Sequence, residues 1–287
     1  MGKASRRKKA PKDPSAMPPP YARRPFEGLP GETEWVAMRE IVPAATARVS
    51  YQIDGLKGEA TIATVLPLAW PAMHRDNGDL FVALQAGGTS GDVSRDIAVA
   101  LVAAASTEPG QPLERTPAAT ASSPRLQDLL DTDTPLKADV HDGFDFWVGE
   151  AELDANSAES LSRANEAAAP TVRLDHGGSA FWCQIGDRCY VRWVLPQDDD
   201  AATNALARLS AAGRGGLGDG RLLGAFRACG LLVPVWEVDA QAEAAAWNDP
   251  MADLVSRFDD AFAEDTPLTA QERSARNGFV SRQITLR

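Results

Sequence analysis

The sequence predicts an α+β fold, with antiparallel and mixed sheets, packed helices and a disordered basic N-terminal arm. Three observations predict it. Short runs of alternating apolar and polar residues sit between turn-compatible pairs such as Asp54-Gly55 and Gly186-Asp187, which marks β-hairpins. Other segments space their apolar residues at the helical period, as Val93, Ile97, Ala100, Leu101 and Ala104 do. Residues 1–30 concentrate cations and prolines and offer almost nothing to bury.

Taken in chain order, residues 1–30 form the arm, and order is expected to begin near Trp35. Residues 48–66 read as a hairpin with Val49, Tyr51 and Ile53 facing one way. Asp76-Asn77-Gly78-Asp79 is a turn feeding a strand at 80–84, and a Gly/Ser/Thr loop at 87–91 leads into a helix at 92–105. The Pro/Thr/Ser/Ala-rich stretch 106–124 is the expected linker between an N-terminal half, 31–105, and a C-terminal half, 125–287. Beyond it, a short helix at 126–130, an aromatic strand at 143–148 and a polar helix at 154–168 are expected.

Residues 180–195 form the clearest hairpin. The two-residue turn Gly186-Asp187 pairs Phe181 with Arg192, Trp182 with Val191 and Cys183 with Tyr190. Strand alternation then puts Trp182, Cys189, Val191, Trp193 and Leu195 on one face, the core face by composition. Asp198-Asp199-Asp200 starts a helix at 201–212, favoured by carboxylates at its positive end. A helix at 222–229 stopped by Gly230 follows, then a strand at 231–238 that Pro234 pushes towards a sheet edge. Asp249-Pro250 opens a helix with Met251, Leu254, Val255, Phe258 and Phe262 on one side, and 279–286 reads as a closing strand. Each half offers a hairpin, a further strand, a polar loop and an Ala/Leu-rich helix, so two related halves packed together are one expectation.

At 287 residues and 44% apolar, the chain can bury a sizeable core. Its net charge of −11 is unevenly spread: residues 1–24 hold eight bases against one acid, Asp13, which leaves −18 on the other 263. Such a body repels phosphate at long range, so polyanion contact falls to the arm, through Lys3, Arg6, Arg7, Lys8, Lys9 and Lys12. Three cysteines do not make a disulfide framework, no apolar signal segment follows the basic opening, and the longest apolar run, 97–105, is about half of a bilayer span. A cytoplasmic protein without membrane attachment is expected.

Several tempting sites have plainer readings. Gly213–Gly218 matches G-x-G-x-x-G, but a helix precedes it where the dinucleotide fingerprint needs a strand. The 87–91 loop lacks the lysine of a phosphate-binding loop, and Asp92 can cap the next helix. Asp175, His176 and Ser179 are near neighbours in a loop, which rarely lets three groups aim at one another. His74, His141 and His176 lie far apart without metal-ligand spacing, and the hairpin register puts Cys183 and Cys189 on opposite faces. Cys229 lacks the helix-start position that would lower its pKa. His141-Asp142 beside Phe144, Phe146 and Trp147 could border a pocket, but core packing is the commoner use of such aromatics. No cofactor, metal or catalytic set is assigned.

The opening Met1-Gly2-Lys3-Ala4-Ser5-Arg6-Arg7, the stretch Glu34-Trp35-Val36-Ala37-Met38-Arg39-Glu40 with Val42-Pro43-Ala44-Ala45, and Gly91-Asp92-Val93-Ser94-Arg95-Asp96 carry a resemblance. So do Pro124-Arg125-Leu126-Gln127-Asp128-Leu129-Leu130, Gly143-Phe144-Asp145-Phe146-Trp147-Val148 and Gly230-Leu231-Leu232-Val233-Pro234-Val235-Trp236. Together they resemble a family of actinobacterial cytosolic proteins that is a domain of unknown function, over nearly the whole chain. The resemblance implies no activity and no site residues. Two functions remain open: a non-enzymatic binding protein whose arm contacts RNA, the ribosome or another polyanion while its acidic body meets a protein partner, or a small-ligand binder or enzyme with a pocket between the halves lined by Trp147, Trp182, Tyr190 and Arg192.

Overall fold

The computed structural model describes residues 16–86, 90–148 and 153–281. It contains two sheets and seven α-helices among those residues, and the α+β class holds. Helix α1 (Glu32–Glu40) precedes the hairpin β1 (Ala45–Ile53) and β2 (Leu56–Ala63), which turns at Asp54-Gly55 as expected. After β3 (Ala72–His74) and β4 (Leu80–Ala83) comes α2 (Val93–Ala105), whose Asp92 cap accepts from the Ser94 N–H. β5 (Gln111–Leu113), α3 (Leu126–Leu129) and β6 (Asp139–Val140) complete this unit, giving the order β5-β3-β4-β2-β1-β6 with β2 and β4 parallel.

The second sheet is antiparallel throughout, in the order β10-β11-β9-β8-β7. After helix α4 (Ala155–Ala167) come β7 (Thr171–Arg173), β8 (Ala180–Ile185) and β9 (Arg188–Trp193), then α5 (Asp199–Ala211), β10 (Arg221–Ala228), β11 (Leu231–Val238), α6 (Asn248–Ala263) and α7 (Ala270–Ser281). The β8–β9 register is the one read from the sequence, and Trp182, Cys189, Val191, Trp193 and Leu195 do share a core face, packed against α5 and α6. The opposite face of this sheet supplies Phe181, Val194, Leu231 and Val233 to a core shared with α1, α2 and the first sheet. Helix α1 is clamped between the two sheets. Glu34 accepts from Arg173 on β7 and from Ser179 at the entry to β8, while Arg39 donates to the Leu84 carbonyl just after β4.

Six expectations are corrected. Order begins before Trp35: Phe26 is 0% exposed and stacks on Trp35, because one aromatic can anchor a strap that composition makes look unfoldable. Residues 106–124 do not separate two halves. β5 pairs with β3 at the sheet edge, where Pro112 costs no ladder bond, and β6 pairs with β1, so the first sheet draws strands from both sides of that stretch. The two sheets share a strand-then-helix step, yet their strand orders and senses differ. Residues 143–148 form a 3-10 turn at Asp145–Trp147 instead of a strand, since Phe144 stacks on Trp147 three residues on and Asn165 takes the Phe144 N–H.

The other two concern the C-terminal third. Residues 222–229 are strand β10, not helix; Leu223 is the extra residue of a bulge at Gly224, and Cys229-Gly230, both at positive φ, form the hairpin turn into β11. Pro234 consequently stands in an inner strand, just past the point where the ladder to β9 ends at Val235. Phe279 belongs to α7, opened by the capping box Thr269/Glu272, while residues 282–286 of the expected strand lie outside the described residues.

Candidate functional site

Lys3, Arg6, Arg7, Lys8, Lys9 and Lys12 lie outside the described residues. What the structure describes is the place where they join the body. The Ala121 N–H donates to the Met17 carbonyl at 2.8 Å and the Ala22 N–H to Gly91 at 2.9 Å. Arg125 and Gln127 donate to the Pro25 carbonyl at 2.9 and 2.8 Å, so α3 and its cap hold the strap down. Arg23 and Arg24, which composition groups with the arm, are body residues. Arg24 makes a fork–fork pair with Glu32, and Arg23 joins Arg227 on Asp199, a carboxylate only 3% exposed. Burial would raise the Asp199 carboxyl, but the hydrogen bonds and charges of Arg227 and Arg23 hold it below the ordinary aspartate value. Gly230 is required beneath this strap, because a Cβ there would stand 2.7 Å from the Arg23 carbonyl oxygen. Arg23, Arg24, Arg125 and Asp199 border an open cleft of about 360 Å³.

The four residues expected to share a pocket do not share one. Trp182 faces the α5–α6 core, whereas Tyr190 packs on the other face of the sheet with Cys183 and Val235, as the hairpin register dictates. Arg192 is 8% exposed; its Nε has no partner, its guanidinium sits against the Cys183 thiol, and no carboxylate pairs with it among the described residues. Trp147 lies at the far sheet, hydrogen-bonded through Nε1 to the Val65 carbonyl at 2.9 Å.

The remaining candidates resolve into packing. Ser179 donates to Glu34, and Asp175 is taken by Asn248, so neither is poised by His176. His141 bonds Thr46. Gly215 and Gly216 offer carbonyls to Trp236 and Arg257 in a closed loop between helix and strand, the reverse of the dinucleotide order. Gly87, Gly88 and Thr89 lie outside the described residues; Ser90 and Gly91 lead into the Asp92 cap. All three cysteines are free thiols, and burial followed by the Glu40 charge pushes Cys229 up to about 12. No group of three or more His, Cys, Asp or Glu able to hold a metal occurs among the described residues.

A second cleft, of about 460 Å³, opens where Trp147 meets the β3–β5 edge, and sequence reasoning found only that one of its walls. Trp70, Met73, Pro112, Val148 and Leu153 give it apolar walls, and His74, Arg75 and Asp76 give it polar ones. Trp70 follows a tight turn in which Leu68 and Ala69 both hold left-handed φ, 53° and 55°, a conformation L-residues resist, and Leu68 is left 84% exposed. Arg75 is spent inside the wall: its guanidinium lies 4.1 Å over the Phe81 ring and donates to the Phe146 carbonyl, and burial lowers its pKa. Beyond Trp147, the advance sign of this site was a lone Trp70 among Pro67, Leu68, Ala69 and Pro71, a segment with no period to interpret.

No helix among the described residues is long and apolar enough to cross a membrane. The chain matches no curated protein and no solved structure. A family model does match, over residues 25–287; it starts one residue before the buried Phe26 and leaves out the basic leader. The chain therefore belongs to the family of unknown function DUF5926.

Proposed function

We propose that this chain is a non-enzymatic cytoplasmic binding protein: an acidic folded body that meets a protein partner, joined to a cationic arm that holds RNA, free or within the ribosome. The single observation that carries the reading is where charge changes sign along the chain. Six cations precede residue 15 against Asp13 alone, and residues 16–287 carry −16. The next two cations, Arg23 and Arg24, are already committed to Asp199 and Glu32, so the basic run of the leader stops where the ion pairs of the body begin. A leader of that kind binds phosphate by releasing condensed counterions, while the body repels it and keeps the contact local.

Copurification tests this. Full-length protein and a variant lacking residues 1–15 are captured from native lysate at low and high salt, and the nucleic acid in each is quantified. RNA is expected with the full-length chain at low salt only. Equal RNA recovery with both proteins at every salt would rule the reading out.

A further inference from the structure

We propose that the cleft at the β3–β5 edge binds an amino-bearing nucleobase, adenine or cytosine, between its apolar walls. At about 460 Å³ the cleft falls in the range of small-ligand pockets, and it has the usual make-up of one, apolar walls with few polar groups. Trp70 and Trp147 are the walls suited to a flat ring.

The polar groups narrow the choice. Arg75 is the cation of the site, and it is consumed by the Phe81 ring and the Phe146 carbonyl, so a phosphate gains nothing here. What remains is two acceptors, with the amides of Asn77 and Gln111 beside them. The Asp76 carboxylate has no hydrogen-bond partner among the described residues and stands at the rim, with its Oδ1 beside Gly110. His74 uses Nδ1 on the Thr107 carbonyl at 2.7 Å; a carbonyl can only accept, so Nδ1 carries the proton and the neutral ring keeps Nε2 as an acceptor. The acceptors fit the exocyclic amine of adenine or cytosine and the amides fit the ring nitrogen beside it, while the Asp76 carboxylate opposes the corresponding carbonyl of uracil.

The site is also built in advance. Trp147 is fixed by its bond to Val65 and its 4.7 Å stacking on Phe144, and Trp70 by the strained turn before it, where the Trp70 N–H donates to Pro67. Leu68, 84% exposed, gains no burial from its left-handed conformation. The strain is explained if its product is the placement of Trp70.

The test uses adenosine, cytidine and uridine, which carry no phosphate, titrated by calorimetry and tryptophan fluorescence into the full chain and into the variant lacking residues 1–15. Saturable adenosine and cytidine binding is expected in both, at least tenfold tighter than uridine. Trp70→Ala should weaken adenosine at least tenfold. Asp76→Asn, at an exposed position that leaves folding alone, should narrow the preference over uridine. A further arm compares adenosine with a short oligoadenylate: a large gain for the oligomer that vanishes without the leader assigns the base to a single strand, and no gain assigns it to a free nucleoside. Either result upholds the cleft. Absence of saturable nucleoside binding, or binding untouched by both substitutions, overturns it without bearing on the arm.

Discussion

Replacing Glu34 tests how the two sheets are held around α1. Its carboxylate is 8% exposed and accepts four hydrogen bonds: two from Arg173, at 2.8 and 2.5 Å, one from Ser179 at 2.5 Å and one from the Ala138 N–H at 3.1 Å. Removing one partner of a buried pair leaves the other charge uncompensated, at a cost of about 3–5 kcal/mol. Glu34→Ala should therefore lose about that much, a large share of a typical total of about 5–15 kcal/mol. Glu34→Gln keeps an acceptor for Arg173 and Ser179 and should lose about 1–3 kcal/mol. Replacing both residues with apolar ones of similar size, Glu34→Leu with Arg173→Met, should recover much of the loss, because the uncompensated cation goes too. Urea unfolding of Glu34→Leu, Arg173→Met and the double variant gives the coupling energy. A loss under about 1 kcal/mol for Glu34→Ala, or additive effects in the double variant, would refute the clamp.

Four further outcomes follow from the same structure. Burial would raise the Glu34 carboxyl, but Arg173 and Ser179 hold it below its ordinary value, and Asp199 is lowered likewise by Arg227 and Arg23. Both folded-state pKa values lie below the unfolded ones, about 4.3 and 3.9, so their contribution is present above those values and drains away as pH falls through the folded ones; melting temperature measured from pH 7 down should drop most steeply below about pH 4. Phe26→Ala should destabilise by about 3–5 kcal/mol, whereas Tyr21→Ala, at an 80% exposed position, should shift stability by no more than about 0.5 kcal/mol. Deleting residues 1–15 should leave the melting temperature unchanged while deleting 1–30 lowers it sharply. Arg192→Met should be neutral or stabilising, since the buried Nε has no partner to lose; a loss above about 2 kcal/mol would show that the guanidinium is satisfied by something bound.

The parts of the fold that were legible in the sequence are those governed by local rules. Gly186-Asp187 fixed a register, alternation from it sorted Trp182 and Cys183 onto opposite faces, and Asp92, Asp154 and Asp198 announced helix starts by capping. The misread segments are those where two local rules compete or tertiary contact decides. Arg221–Ala228 suits either period, and only pairing with β11 selects the strand. The reading of 279–286 as a strand overlooks the capping box Thr269/Glu272, which opens α7 ahead of it. Phe26 could not be told from its Pro-rich surroundings, because its burial depends on Trp35 being presented by α1. The site was less legible than the fold. Trp147 was noticed for its aromatic neighbours, yet its partners Trp70, Met73 and Pro112 come from a loop, an edge strand and a stretch dismissed as linker, which meet only in three dimensions.

The salt dependence of binding to a short single-stranded RNA bears most directly on the division between leader and body. Neutralising six phosphates should give a plot of log affinity against log salt with a slope of about −4, at roughly −0.7 per phosphate. The account predicts that slope for the full chain and a slope near zero, with affinity lost, once residues 1–15 are removed. A steep slope surviving in the truncated chain would place the phosphate contacts on the acidic body and contradict it.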